Sequence, residues 1–404
     1  MEFAAKRWIV LAASCLINLC IGSLYAWSVF AAPMAEYLEG MTGAEIPSLS
    51  LIFTVANGIG PITMISGGFI NDRLGPKWIT LAGGVLFGAG MILSGFASSF
   101  AWLMLSYGIC VGLGVGMVYG CTVSNAVKFF PDKRGLVGGI TTAAYGVSSV
   151  LIPPLANMLI DTLHVTAAFQ CLGTAMMILI CVCAFLIAPR RSAPLPGQAS
   201  APSQASAQGM DWRAMLRTPV FYVMLIIMCC GAFSGLMVIS QASLIAQRMV
   251  NMTAAAAAAA VSILALFNTA GRIAAGFASD RLGIINTIAL VLCLSAAGLA
   301  TLWLCNGSTA MFYAGLCIVG LSFGSIMGIY PGFTAAQFGS RHNSVNYGIM
   351  FIGFASAGYF GPTIMSTLYE TTGGYGLSFL IAAGLSLVGF ALTFVLKRLS
   401  RHNG

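Results

Sequence analysis

Apolar residues in this chain run in long unbroken stretches, and polar positions collect in the gaps between them. The stretches fall at about 8–32, 48–70, 78–98, 101–126, 135–158 and 167–188, then at 219–246, 253–279, 285–304, 309–335, 344–368 and 374–396. Each is near the roughly 20 residues that a helix needs to cross a bilayer, so the pattern predicts twelve membrane-spanning helices. The first stretch has no small-residue cleavage pattern after a short apolar core and carries Tyr25, Trp27 and Pro33. It reads as a retained span rather than a signal peptide. An even number of spans puts both termini on one side.

Composition agrees with that class. Of 404 residues, 59% are hydrophobic and only 7% charged, which excludes a water-soluble fold and predicts an all-α polytopic membrane protein. The charges then set the topology. Lys6, Arg7, Arg73, Lys77, Lys128, Lys133, Arg134, Arg190, Arg191, Arg213, Arg217, Arg281, Arg341, Lys397, Arg398 and Arg401 all fall on one face, which the positive-inside rule makes cytoplasmic. Arg248 stands on the other face with Glu36, Glu39, Glu45, Asp161 and Glu370. The net charge of +8 therefore reports orientation, and no nucleic-acid partner is expected.

The chemistry of a cofactor or metal is not encoded. The 12 cysteines lack ligand-like spacing and read as small buried hydrophobes, and the 3 histidines sit in connections or near the terminus. No P-loop, His-Glu-x-x-His or nucleophile with a partnered base stands out. The expectation is a carrier without cofactors, driven by solute or ion gradients, and not an enzyme.

Residues 189–218 form the single long polar connection, rich in Ser, Ala, Pro and Gln from Ser192 to Gly209. It reads as a flexible cytoplasmic linker between a six-helix bundle at 1–188 and another at 219–404. The halves echo each other: Gly68-Phe-Ile-Asn-Asp72-Arg73-Leu-Gly75 follows span two, and Gly276-Phe-Ala-Ser-Asp280-Arg281-Leu-Gly283 follows span eight, 208 residues later. Glycine there allows close helix approach or a tight turn. Asp72, Arg73, Asp280 and Arg281 are positioned to cap a helix end or to hold one conformation closed as a gate, the bland alternative being ordinary turn residues. Phe130 to Gly135 after span four is answered weakly by Phe338 to Arg341 after span ten.

One charged side chain lies deep in a span. Arg272 precedes Asp280 by eight residues, about 12 Å along a helix, too far for easy escape to the headgroups. No span offers Asp or Glu at that depth, so a solute carboxylate becomes its natural counter-ion, matched by the two-pronged guanidinium. The alternative is an arginine that braces backbone carbonyls. Asn268, one turn earlier on the same face, serves either the ligand or an interhelical hydrogen bond. Tyr25, Trp27, Tyr119, Tyr145, Phe323, Tyr330, Tyr347 and Phe354 are the aromatic candidates, each also readable as core packing. Glycines along spans four and eleven, with Pro61, Pro153, Pro154, Pro331 and Pro362, suit helices that slide and bend.

The duplicated Gly-x-x-x-Asp-Arg-x-Gly loop resembles motif A of the major facilitator superfamily, over essentially the whole chain. Val118-Tyr119-Gly120 to Asn125, the loop Phe130 to Gly135, Asn268-x-x-Gly271-Arg272 and Asn346-Tyr347-Gly348 together resemble the oxalate/formate antiporter family and its monocarboxylate-transporter relatives. The resemblance implies twelve helices in two pseudo-symmetric six-helix bundles, with Arg272 as the anion-binding arginine and Asn268 beside it. It also implies Tyr25, Tyr119 and Tyr145 as cavity aromatics, with Phe323 from the other half. Oxalate carriers of this family have a lysine shortly after the Asn-Tyr-Gly segment, where this chain has Phe354. One deep cation compensates a monoanion better than a dianion in a low-dielectric cavity.

The expected function is alternating-access transport of a small monocarboxylate, of the lactate or pyruvate type, coupled to protons. The expected place is a bacterial or archaeal cytoplasmic membrane, with the protein working as a monomer. No acidic neighbour marks a proton relay. Competing readings are an oxalate/formate-type antiporter and a carboxylate-binding membrane sensor.

Overall fold

A computed structural model describes residues 2–43, 49–187 and 209–402. Glu45, Arg190, Arg191 and the linker positions 189–208 lie outside them. Every regular element among the described residues is helical. Helix α1 (Glu2–Ile21) passes through a 3-10 turn (Gly22–Ala26) into α2 (Trp27–Thr42), and α3 (Ser50–Leu74) and α4 (Pro76–Ser94) follow. A short α5 (Phe100–Leu103) leads through a π-helical stretch (Met104–Val111) into α6 (Gly112–Phe129), and then comes α7 (Arg134–Leu186). After the central connection come α8 (Trp212–Leu216), α9 (Pro219–Val250), α10 (Ala254–Leu282), α11 (Ile284–Trp303), α12 (Thr309–Phe338), α13 (Asn343–Thr372) and α14 (Gly376–His402).

Eleven of these helical stretches are long and apolar enough to span a bilayer, and one of them holds two spans. That one is α7, 53 residues long, whose backbone breaks at His164 (φ 68, ψ 161). The apolar pattern predicts two spans separated by a connection at 159–166. The structure turns the chain at one residue instead, so helical hydrogen bonding continues almost to the break on either side.

The chain forms two compact units. The first comprises Met1–Pro131, Ala144–Met210 and Phe338–Ile349, and the second Asp132–Ala143, Asp211–Gln337 and Met350–Gly404. Inside the first, Trp27 lies over Tyr107 with ring centroids 4.3 Å apart, and Phe30 stacks on Phe169 at 4.1 Å. The Tyr107 hydroxyl donates to the Leu24 carbonyl at 3.3 Å, inside the 3-10 turn, where that carbonyl also accepts the Trp27 amide. Inside the second, Ser295 joins Ser234 at 2.9 Å and Ser386 at 3.2 Å, tying α9, α11 and α14 through buried hydroxyls. Between helices in lipid there is little hydrophobic drive, so such bonds and small-residue contacts set the packing. Large apolar side chains stay exposed on the helices, among them Ile62, Phe185, Leu266 and Phe394, as suits a chain whose solvent is lipid.

Candidate functional site

In the second unit the site begins with close packing around α10. Gly320, Gly324 and Gly328 stand four residues apart on α12, so they share one helix face. A side chain at these positions would overlap Leu264, Asn268 and Arg272 in turn, again four residues apart. From α7, a side chain at Gly139 would overlap the Arg272 carbonyl oxygen. Absence of Cβ at these places lets two helices grip α10 at the level of its arginine, which fixes where the guanidinium starts.

Arg272 is 3% exposed. Its Nη1 donates to the Thr142 carbonyl at 2.7 Å, and its Nε donates to Asn268 Oδ1 at 3.2 Å. No carboxylate pairs with it among the described residues. Because Asn268 uses its oxygen on Nε, its Nδ2 hydrogens point elsewhere, and they and Arg272 Nη2 engage no acceptor among the described residues. A buried cation with only neutral partners and unused donors is a site that an anion would complete. Phe323, seated where a side chain at Gly235 would overlap it, stacks with Phe354 (centroids 6.4 Å, 26°), and Phe354 stacks with Phe351 (4.5 Å, 29°). Nothing in the sequence pattern singles out Phe351, although its place three residues before Phe354 puts it on the same helix face. The same holds for the Thr142 carbonyl, since a backbone acceptor leaves no mark in side-chain identity.

In the first unit, the structure brings Tyr25, Tyr119 and Tyr145 together. Tyr145 lies edge-on to Tyr25 (5.3 Å, 79°) and to Tyr119 (5.2 Å, 65°), and Phe53 adds a tilted contact with Tyr25 at 6.4 Å. The 3-10 turn presents Tyr25. Gly22, which begins that turn, packs so closely on α7 that a side chain there would overlap the Tyr145 carbonyl.

The duplicated loops do the same work in both units. A side chain at Gly68 would meet the backbone of Ser344 and Val345, and one at Gly276 would meet that of Gly135. These approaches bring an aspartate to a helix N-terminus, where free amides and the dipole favour negative charge. Asp280 accepts from the amides of Gly135 and Leu136, both at 2.9 Å, at the start of α7. Asp72 accepts from Val345 N at 3.4 Å at the start of α13 and pairs with Lys128 at 3.0 Å. Asn71 donates to Ser344 Oγ beside it, and Arg134 Nη1 donates to the Ala335 carbonyl at 3.1 Å. The arginines of the two loops are not in these contacts. Arg73 is exposed without a partner among the described residues, and Arg281 lies over the Phe277 ring at 4.3 Å. Gly75 and Gly283 close both loops at positive φ, 90° and 84°. Asn346 donates to the Met210 carbonyl at 3.0 Å, tying the end of the central connection to α13.

The family model for the Major Facilitator Superfamily matches residues 14–362. The chain belongs to that superfamily. This member is 32% identical to the oxalate:formate antiporter of Oxalobacter formigenes, over 98% of the chain and 93% of that protein. It is 25% identical to mouse monocarboxylate transporter 11, over 97% of the chain and 87% of that protein. Among solved structures, a superfamily transporter, FucP, in its outward conformation superposes with a TM-score of 0.75 at 14% identity, covering 97% of this chain and 99% of that one. The superfamily member described here is thus a multi-pass membrane transporter with the fold that the hydropathy pattern and the loop motifs predict, and its family and fold are those of transporters rather than enzymes.

Proposed function

We propose that this transporter carries a small monocarboxylate of the lactate or pyruvate type, coupled to protons, by alternating access. The observation that carries the reading is Arg272: buried, without a carboxylate partner among the described residues, and with Nη2 and the neighbouring Asn268 Nδ2 both unengaged. A carboxylate binds two prongs of the guanidinium and takes a third hydrogen bond from Asn268. The Phe323, Phe354 and Phe351 rings receive an apolar substituent, and they supply no second cation for a dianion. Tyr25, Tyr119 and Tyr145 are further substrate-contacting aromatics. Asp72, Arg73, Asp280 and Arg281 are gate residues, and the helix-capping contacts of the two aspartates break and reform through the cycle. The two bundles 1–188 and 219–404, joined by the linker, are the moving bodies. The protein works as a monomer in a bacterial or archaeal cytoplasmic membrane, with both termini inside.

A second reading, exchange of carboxylates, is favoured by the 32% identity to the oxalate:formate antiporter. Uptake of labelled L-lactate into liposomes holding the purified protein separates the two. Symport predicts stimulation by an inward proton gradient and competition by pyruvate but not oxalate. Uptake that requires preloaded oxalate or formate supports exchange.

A further inference from the structure

Three contacts staple the first turns of α7 to the rest of the second unit. Arg134 reaches the Ala335 carbonyl, Asp280 caps Gly135 and Leu136, and Arg272 Nη1 holds the Thr142 carbonyl at 2.7 Å. Gly135, Gly139 and Thr142 recur at four and three residues, so one face of α7 lies along α10. The deepest staple is also the proposed carboxylate ligand.

We infer that substrate competes with the Thr142 carbonyl for Arg272, so that a bound carboxylate unlatches residues 134–142 of α7. This rests on the reading of Arg272 as the anion site. A guanidinium offers a carboxylate two bidentate edges, Nη1 with Nη2 and Nη2 with Nε; the single Nε hydrogen is committed to Asn268, so a carboxylate takes the first edge and draws on Nη1, the nitrogen that holds Thr142. Asn268 sits on the same helix as Arg272 and moves with it, and its Nδ2 can add a hydrogen bond to an anion on the first edge. Thr142 is on another helix, and its carbonyl keeps the amide four residues on as its regular helical partner. Leaving Arg272 therefore orphans nothing. A charged acceptor displaces a neutral one from a buried arginine, so the exchange runs toward ligand. Occupancy of Arg272 is in this way transmitted to a helix whose N-terminus is otherwise held by Asp280 and Arg134. An empty site keeps all three staples.

Hydrogen exchange of the full-length protein, read by mass spectrometry on peptides covering residues 134–146, tests this without ligand. The latch predicts that Arg272→Gln exchanges there about tenfold faster than wild type, as loss of a charged hydrogen bond implies. Asn268→Ala, which leaves the Thr142 contact in place, should exchange at the wild-type rate, and peptides from α11 should be unchanged in both. Arg272→Gln that loses uptake while exchange at 134–146 stays at the wild-type level overturns the latch and leaves the anion site standing. Arg272→Gln with wild-type uptake overturns the anion site and the latch together. If Arg272→Gln fails to fold, Arg272→Met serves: it fills the same space with no donor for the Thr142 carbonyl, and the latch predicts the same faster exchange.

Discussion

Gly328 lies against the carbonyl oxygen of Arg272 so closely that a methyl group on it would stand 2.5 Å from that oxygen. The arginine's position is thus set by a residue with no side chain, one helix away. Backbone against backbone leaves no flexible atom to yield, so Gly328→Ala must push α12 off α10. We expect at least about a tenfold fall in the initial uptake rate, with a stability loss of about 1–3 kcal/mol read from thermal unfolding in detergent. Gly384→Ala, where a Cβ meets nothing within 4 Å, is the control and should change neither.

Asp280 gives both oxygens to amides, whereas Asp72 divides its charge between Lys128 and one longer amide contact. Asp280→Asn keeps one acceptor and loses the charge at a helix N-terminus, at a cost of about 1–2 kcal/mol. It should speed exchange at the start of α7. Lys128→Met should reduce the effect of Asp72→Asn when the two are combined, because each single change already breaks the 3.0 Å pair. Additive losses in a thermal-unfolding cycle would contradict that pairing.

Phe354→Lys places a cation in the aromatic stack, on the α13 face that also carries Phe351. A second positive charge compensates the second carboxylate of a dianion. The variant should take up oxalate, or be inhibited by it, where the parent is not. A dianion profile equal to that of the parent would remove Phe354 from the specificity site.

Tyr145 is the ring that Tyr25 and Tyr119 share. Tyr145→Ala should therefore cost about 3 kcal/mol or more of stability, as loss of a buried aromatic does, and abolish uptake. Tyr145→Phe keeps both edge contacts. It should fold normally and show a raised KM, and measuring KM and maximal rate separately tells ring packing from hydroxyl chemistry.

Much of this was legible because the bilayer imposes simple rules. Long apolar runs became spanning helices, and Arg272 was conspicuous as a charge inside one. The 208-residue echo of Asp72 in Asp280 offered helix capping as one of several roles for both aspartates, and not which helices they cap, since that depends on the approach allowed by Gly68 and Gly276. Arg73 and Arg281 looked equal to their aspartates in sequence, and the structure turns them away from the caps. The Thr142 carbonyl, the turn at His164 and the π-helical stretch at Met104–Val111 are backbone events, set by tertiary packing rather than by any local pattern. Phe351 is hidden for the opposite reason, as one aromatic among many in apolar helices.

Whether Arg272 binds a carboxylate is tested by saturable L-lactate uptake by wild type and Arg272→Gln at matched reconstitution in liposomes. The account predicts that the variant inserts, unfolds at a similar temperature and shows no saturable uptake. Saturable uptake by Arg272→Gln with wild-type KM and rate would contradict it.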